Sequence, residues 1–134
     1  MIRGSCLCGR VGYELRGIPQ AMYYCHCNMC RKATGSSFAT NMLVRSDDFV
    51  IVTGRAHVKP YESSPGEYRH FCSECGSPIY GEAAARPNMV SLRCGTLDDD
   101  PGVRPQLHIH VASKSPWFAM TDQIPKFPGE PDPE

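Results

Sequence analysis

No charge of one sign dominates this sequence. Lys plus Arg and Asp plus Glu number 14 each, so there is no overall field to attract nucleic acid or an anionic membrane surface. No apolar run approaches the roughly 18–20 residues that a bilayer-spanning helix requires. No stretch keeps a helical period, nothing repeats beyond pairs of cysteines, and no linker divides the 134 residues, which suit one domain with its own core. The start, Met1-Ile2-Arg3-Gly4-Ser5-Cys6, reads as lacking a secretory signal. These absences predict a cytoplasmic protein in a reducing compartment, where clustered cysteines more often bind metal or act chemically than form disulfides. Eight cysteines are about 6 % of the chain, below the roughly 8–10 % typical of a disulfide scaffold.

What is present is mostly β-forming. Segments rich in Val, Ile, Tyr and Phe, several of them alternating apolar with polar, predict strands over Arg10–Leu15, Met22–Cys25, Ser37–Val44, Phe49–Thr53, Val58–Tyr61, Glu67–Phe71, Ser77–Tyr80, Met89–Cys94 and Leu107–Val111. Twelve glycines and twelve prolines supply turns between them. One short helical turn is expected over Asn28–Thr34, stopped by Gly35. The composition thus predicts an all-β domain over residues 1–120. Residues 121–134, rich in proline and acidic, are expected to form an extended or disordered tail.

Seven of the eight cysteines fall into three clusters: Cys6-x-Cys8, Cys25-His26-Cys27-Asn28-Met29-Cys30, and Cys72-x-x-Cys75. Two pairs make four thiolates, enough to close a tetrahedral zinc site of the structural kind. The triplet supplies three and leaves a position open, as catalytic zinc requires. Gly76 after Cys75 fits a zinc knuckle, whose turn needs an unusual φ. Joining Cys6 and Cys8 to Cys72 and Cys75 would clamp the N-terminal strand against a late hairpin.

Three thiolates on Zn²⁺ leave a net charge of about −1, which makes a weak Lewis acid poorly suited to generating hydroxide. Such a centre is better suited to holding a fourth sulfur as a thiolate. The triplet therefore predicts a small thiol substrate and chemistry at a carbon–sulfur bond. His26 should point away from the triplet, because Cys25 and Cys27 flank it in extended chain, and reads as a packing or hydrogen-bonding residue. Cys94 reads as a small buried hydrophobe. Arg31 and Lys32 either offset thiolate charge and bind substrate carboxylates, or form a solvated pair at a helix C-terminus. His108 and His110 alternate along one strand and read as surface residues sharing a face, with substrate contact the other reading.

The motifs Gly4-Ser5-Cys6-Leu7-Cys8-Gly9-Arg10-Val11, Cys25-His26-Cys27-Asn28-Met29-Cys30-Arg31-Lys32 and Phe71-Cys72-Ser73-Glu74-Cys75-Gly76 resemble the glutathione-dependent formaldehyde-activating enzyme family, which includes the centromere protein V domain. Gly95-Thr96-Leu97-Asp98-Asp99 and His108–Trp117 fit the same pattern, so the resemblance spans about residues 3 to 118. It implies a β-tent zinc-binding fold with short helical turns and two zinc ions per chain. Cys6, Cys8, Cys72 and Cys75 would carry the structural zinc, and Cys25, Cys27 and Cys30 the catalytic one. It further implies glutathione as the thiol and a carbon–sulfur lyase reaction joining it to formaldehyde or reversing that addition. Arg31, Lys32 or Lys114 would then hold the thiol's carboxylates. The rival reading is a non-catalytic zinc module for protein interaction. A basic tail would favour that rival, and the tail here is acidic.

Overall fold

The computed structural model describes residues 1–131. Ten strands form in chain order: β1 (Ile2–Ser5), β2 (Gly12–Leu15), β3 (Ala21–Cys25), β4 (Ala39–Arg45), β5 (Phe49–Thr53), β6 (Val58–Ser64), β7 (Glu67–Cys72), β8 (Pro78–Ala83), β9 (Met89–Arg93) and β10 (Leu107–Ile109). Among the described residues a single α-helix, α1 (Asn28–Thr34), follows β3, and short 3-10 turns occupy several connections. The all-β expectation therefore holds, helical turns included. Among the described residues no helix is long and apolar enough to cross a membrane.

The strands make a small sheet, β1-β2-β5, and a larger one, β10-β3-β4-β9-β8-β7-β6. Every pairing is antiparallel except that of β10 with β3. The two sheets share a core in which Tyr13 and Leu15 of β2 and Ile51 of β5 meet Met42 and Val44 of β4, Ile79 of β8 and Leu92 of β9. Leu92 is fully buried. Leu92→Ala should cost about 2–5 kcal/mol through lost transfer free energy and the cavity left behind, read as a lower urea midpoint at unchanged slope.

Strand β1 was not anticipated, because its four residues carry Gly4 and Ser5, which have little strand propensity. Tertiary packing explains it: the Tyr13 ring occupies the space where a side chain on residue 4 would begin. Tyr13 also hydrogen-bonds Thr96 Oγ1 at 2.6 Å. Near the other end of the chain, residues 125–129 lie along β10. His108 N–H donates to Pro125 O, Phe127 N–H to His108 O, and His110 N–H to Gly129 O.

That docking corrects one expectation. His108 is not a surface residue but 1 % exposed, because residues 122–127 cover the open edge of β10. Nor do His108 and His110 share a face. The strand ends at Ile109, and His110 adopts a left-handed conformation with φ 56° that breaks the alternation. Cover by a segment remote in sequence leaves no local trace, so alternation alone misplaces both histidines.

Candidate metal centres and the adjoining cavity

All eight cysteines are free thiols. The Sγ atoms of Cys6, Cys8, Cys72 and Cys75 lie within 4.8 Å of one another, and so do those of Cys25, Cys27 and Cys30. The structure thus brings together both ligand sets that the spacing predicts. Cys94 belongs to neither. It packs against the main core, where burial pushes its thiol up to about 12.

The four-cysteine cluster is built from two turns. Cys6 and Cys8 sit between β1 and β2, while Cys72 ends β7 and Cys75 lies in the turn to β8. Gly9 and Gly76 take φ of 81° and 80°, values that glycine adopts without steric cost. They let Gly9 N–H reach Cys6 O at 3.1 Å and Gly76 N–H reach Cys72 O at 2.7 Å. Leu7 N–H donates to Ser77 Oγ at 2.9 Å and ties the turns together. Cys6 and Cys8 Sγ are 3.5 Å apart, and Cys8 and Cys72 Sγ 3.9 Å. These separations are near the ~3.8 Å edge expected for four sulfurs about 2.3 Å from one zinc. Hydrogen bonds from Ser77, first from its hydroxyl and then from its N–H, bring the Cys75 thiol down to about 5. The donor set and its spacing fit a closed tetrahedral metal site.

The triplet spans a strand end and a helix start. Cys25 ends β3, Cys27 is the N-cap of α1, and Cys30 lies in the helix's first turn. Cys30 N–H donates to Cys27 Sγ at 3.2 Å, so one side chain both caps the helix and faces the cluster. Cys25 and Cys30 Sγ are 3.3 Å apart, and each residue is 5 % exposed. Hydrogen bonds from the Cys25 and Cys30 thiols hold Cys27 far below the usual thiol range, while the same sharing with Cys27 pushes Cys25 far above it. Among the described residues no fourth Cys, His or carboxylate ligand atom joins this group. The set fits a metal with one coordination position left to something else.

His26 behaves as the alternation requires. Its ring leaves the triplet and is completely buried against Phe38 and His108. Its Nε2 and His108 Nδ1 are 2.7 Å apart, and His108 Nε2 lies 2.8 Å from Asp122 Oδ2. Burial, then the neighbouring His108, brings His26 down to about 4. Ile109 O accepts from His26 N–H and Ser113 Oγ donates to His26 O, so β10 and its following turn fix the backbone of the triplet.

The triplet opens onto a cavity of about 400 Å³ lined by Tyr23, Met29, Leu107 and Ile109 among others. None of the three cations expected from sequence lines it. Arg31 Nη2 donates to Asn28 Oδ1 within the helix, Lys32 is exposed, and Lys114 Nζ is held by the carbonyls of Ser115 and Phe118. The cations that do line it are Arg69 of β7, Arg93 of β9 and Arg86. Both Nη atoms of Arg69 lie 3.8 Å from Cys30 Sγ. Arg69 and Arg93 escaped the sequence reading because neither adjoins a cysteine of the triplet. The available signal was a charged residue ending the mainly apolar strand before Cys94.

Comparison with known proteins adds three findings. The sequence model of the family described as glutathione-dependent formaldehyde-activating enzyme matches residues 1–113. A Halomonas elongata protein, provisionally named as such an enzyme, is 32 % identical over 143 aligned positions, covering 98 % of this chain and 90 % of that protein. The crystal structure of a Rhodobacter sphaeroides protein superposes with a TM-score of 0.64 at 21 % identity. It covers 92 % of this chain and 98 % of its own, a likeness of fold.

Proposed function

The chain belongs to the glutathione-dependent formaldehyde-activating enzyme family, and from that premise we propose a zinc-dependent carbon–sulfur lyase. Its substrate would be the adduct of glutathione, or a similar small thiol, with formaldehyde or another small carbonyl compound. The observation that carries this reading is the three-cysteine cluster, which has no fourth protein ligand among the described residues and is placed at the wall of a cavity. Cys6, Cys8, Cys72 and Cys75 would hold one zinc ion for structure, and Cys25, Cys27 and Cys30 a second. Bound there, zinc would favour the deprotonated form of a thiol.

The residues of the chain supply the rest. Arg69 beside Cys30 offsets thiolate charge. The apolar lining from Met29, Leu107 and Ile109 keeps water from competing for the carbonyl. His110, 3.0 Å from Glu130 Oε1, brings to the same cavity an imidazole that can give and take a proton. In the synthetic direction a C–S bond forms as the carbonyl π bond opens, and the oxygen gains the proton that the thiol gave up. The lyase direction is the reverse, and no redox partner is needed.

Because the thiol, with a pKa near ~8.5, would lose its proton on binding, glutathione should release about one proton and bind more tightly as pH rises toward that value. S-Methylglutathione keeps every carboxylate and amide but cannot ionise at sulfur, and should bind far more weakly. Calorimetry in buffers of different ionisation enthalpy reads both effects. Equal affinities with no proton released would remove the open site as the thiol site.

A further inference from the structure

Arg93 stands apart in this cavity. It is 9 % exposed, and its guanidinium makes no hydrogen bond or ion pair among the described residues. A buried guanidinium without an acceptor is costly, and proteins ordinarily pair it. Arg69 lies close enough to disfavour the charge on Arg93, and its own Nε is buried without a partner. Arg93, nearly buried, and Arg69, half-buried, thus line one cavity, and among the described residues neither is paired with a carboxylate.

The fold makes room for this arrangement. Gly81 of β8 pairs with Arg69 of β7 on one side and Ser91 of β9 on the other. A Cβ on residue 81 would lie 2.7 Å from Arg93 Nη2. The missing side chain is therefore what lets the guanidinium lie across the sheet into the cavity. The carboxylates that line the cavity are engaged elsewhere. Glu82 is 2.8 Å from His70 Nε2, Glu67 accepts from Ser64 Oγ, and Glu130 meets His110.

Donor geometry sets the ligand. Three thiolates on a divalent metal carry about −1, and the two guanidinium groups carry about +2. With the fourth position empty one positive charge is left over beside the triplet, and a bound thiolate would offset it, so it is the paired N–H donors of the guanidinium groups that select the ligand. A planar monoanion that can accept paired N–H donors meets this requirement, and a carboxylate is that group.

Resting on the thiol reading above, we propose that Arg93 and Arg69 form a carboxylate receptor beside the open cysteine triplet, so that the substrate carries a carboxylate close to its reacting sulfur or carbon. The carboxylate belongs either to the thiol itself or to the carbonyl partner, which would then be a small 2-oxo acid. With glyoxylate as that partner, the thiol sulfur bonds to the aldehyde carbon, the C=O π bond opens, and the oxygen takes the thiol proton. The product is a hemithioacetal, the S-(carboxyhydroxymethyl) adduct of the thiol, and nothing is oxidised or reduced.

The test measures binding to the metal-loaded wild type and to Arg93→Gln by calorimetry, using glutathione, cysteamine (a thiol without a carboxylate) and glyoxylate. Loss of at least about tenfold for glutathione, with cysteamine changed less than about twofold, assigns the receptor to the thiol's carboxylate. The same loss for glyoxylate, with glutathione unchanged, assigns it to the oxo acid. Equal weakening of glutathione and cysteamine with no glyoxylate binding overturns the proposal, because the arginines would then serve only the thiolate. Should no thiol bind the wild type, the thiol reading fails while glyoxylate still tests the receptor. Arg69→Gln, at a less buried position, should give the same pattern if Arg93→Gln does not fold.

Discussion

Cys72→Ser should leave the chain without a cooperative unfolding transition near that of the wild type. Cys72 is completely buried, and its Sγ is shared between the core and the four-cysteine cluster. A structural zinc site contributes on the order of 10 kcal/mol of apparent folding free energy, comparable with the whole stability of a domain of this size, about 5–15 kcal/mol. The cluster also joins the β1–β2 turn to the β7–β8 turn across a long stretch of chain, so its loss frees much of the sequence at once. Thermal unfolding with elemental analysis is the measurement. Cys94→Ser is the control, since Cys94 lies outside both clusters and should cost only about 1–3 kcal/mol for a partly buried hydroxyl. A Cys72→Ser protein melting within a few degrees of wild type would show that the tetrad holds no metal on which the fold depends.

The opposite separation is expected at the triplet, where Cys27→Ser should abolish thiol binding and spare the fold. Cys27 has two roles, as N-cap of α1 and as a member of the cluster. Serine is among the preferred N-caps, so its hydroxyl can accept the Cys30 N–H that Cys27 Sγ now accepts at 3.2 Å. It is a poor substitute for a thiolate on zinc. Binding of glutathione should weaken by at least about a hundredfold, equivalent to roughly 2.7 kcal/mol. The melting temperature should move by no more than about 5 °C, as for a change near 1 kcal/mol. If Cys27→Ser unfolds as readily as Cys72→Ser, both clusters are structural and the lyase proposal loses its site.

The carboxylate receptor and the proton released by glutathione bear on the same cavity through different atoms. Proton release concerns the sulfur near Cys25, Cys27 and Cys30, whereas the arginine variants report on the anion beside it. A protein that releases a proton with glutathione yet is indifferent to Arg93→Gln would keep the thiol chemistry and lose only the receptor.

By itself the sequence determined the cysteine groupings, the β class and the place of the one helix. Ligand spacing is local: Cys25, Cys27 and Cys30 lie within six residues, and the turns that aim them are set by neighbours such as Gly35, which ends α1 at φ 68°. Glycine after Cys75 marks its turn in the same way. Alternation in Gly12–Leu15 likewise reports the sheet faces, with Tyr13 and Leu15 buried and Glu14 between them not, because successive side chains must point to opposite sides. Only the tertiary structure decided which cations meet the triplet. Arg31 and Lys32 follow Cys30 in the chain, but the helix turns them away from the cavity, while Arg69 and Arg93 arrive from strands 39 and 63 residues further on. It also decided that His108 is buried, because the covering segment comes from the far end of the chain and docks through backbone hydrogen bonds that any residue but proline could donate. Contacts made by strand pairing and edge cover depend on the path of the whole backbone, and no local pattern of residues encodes them.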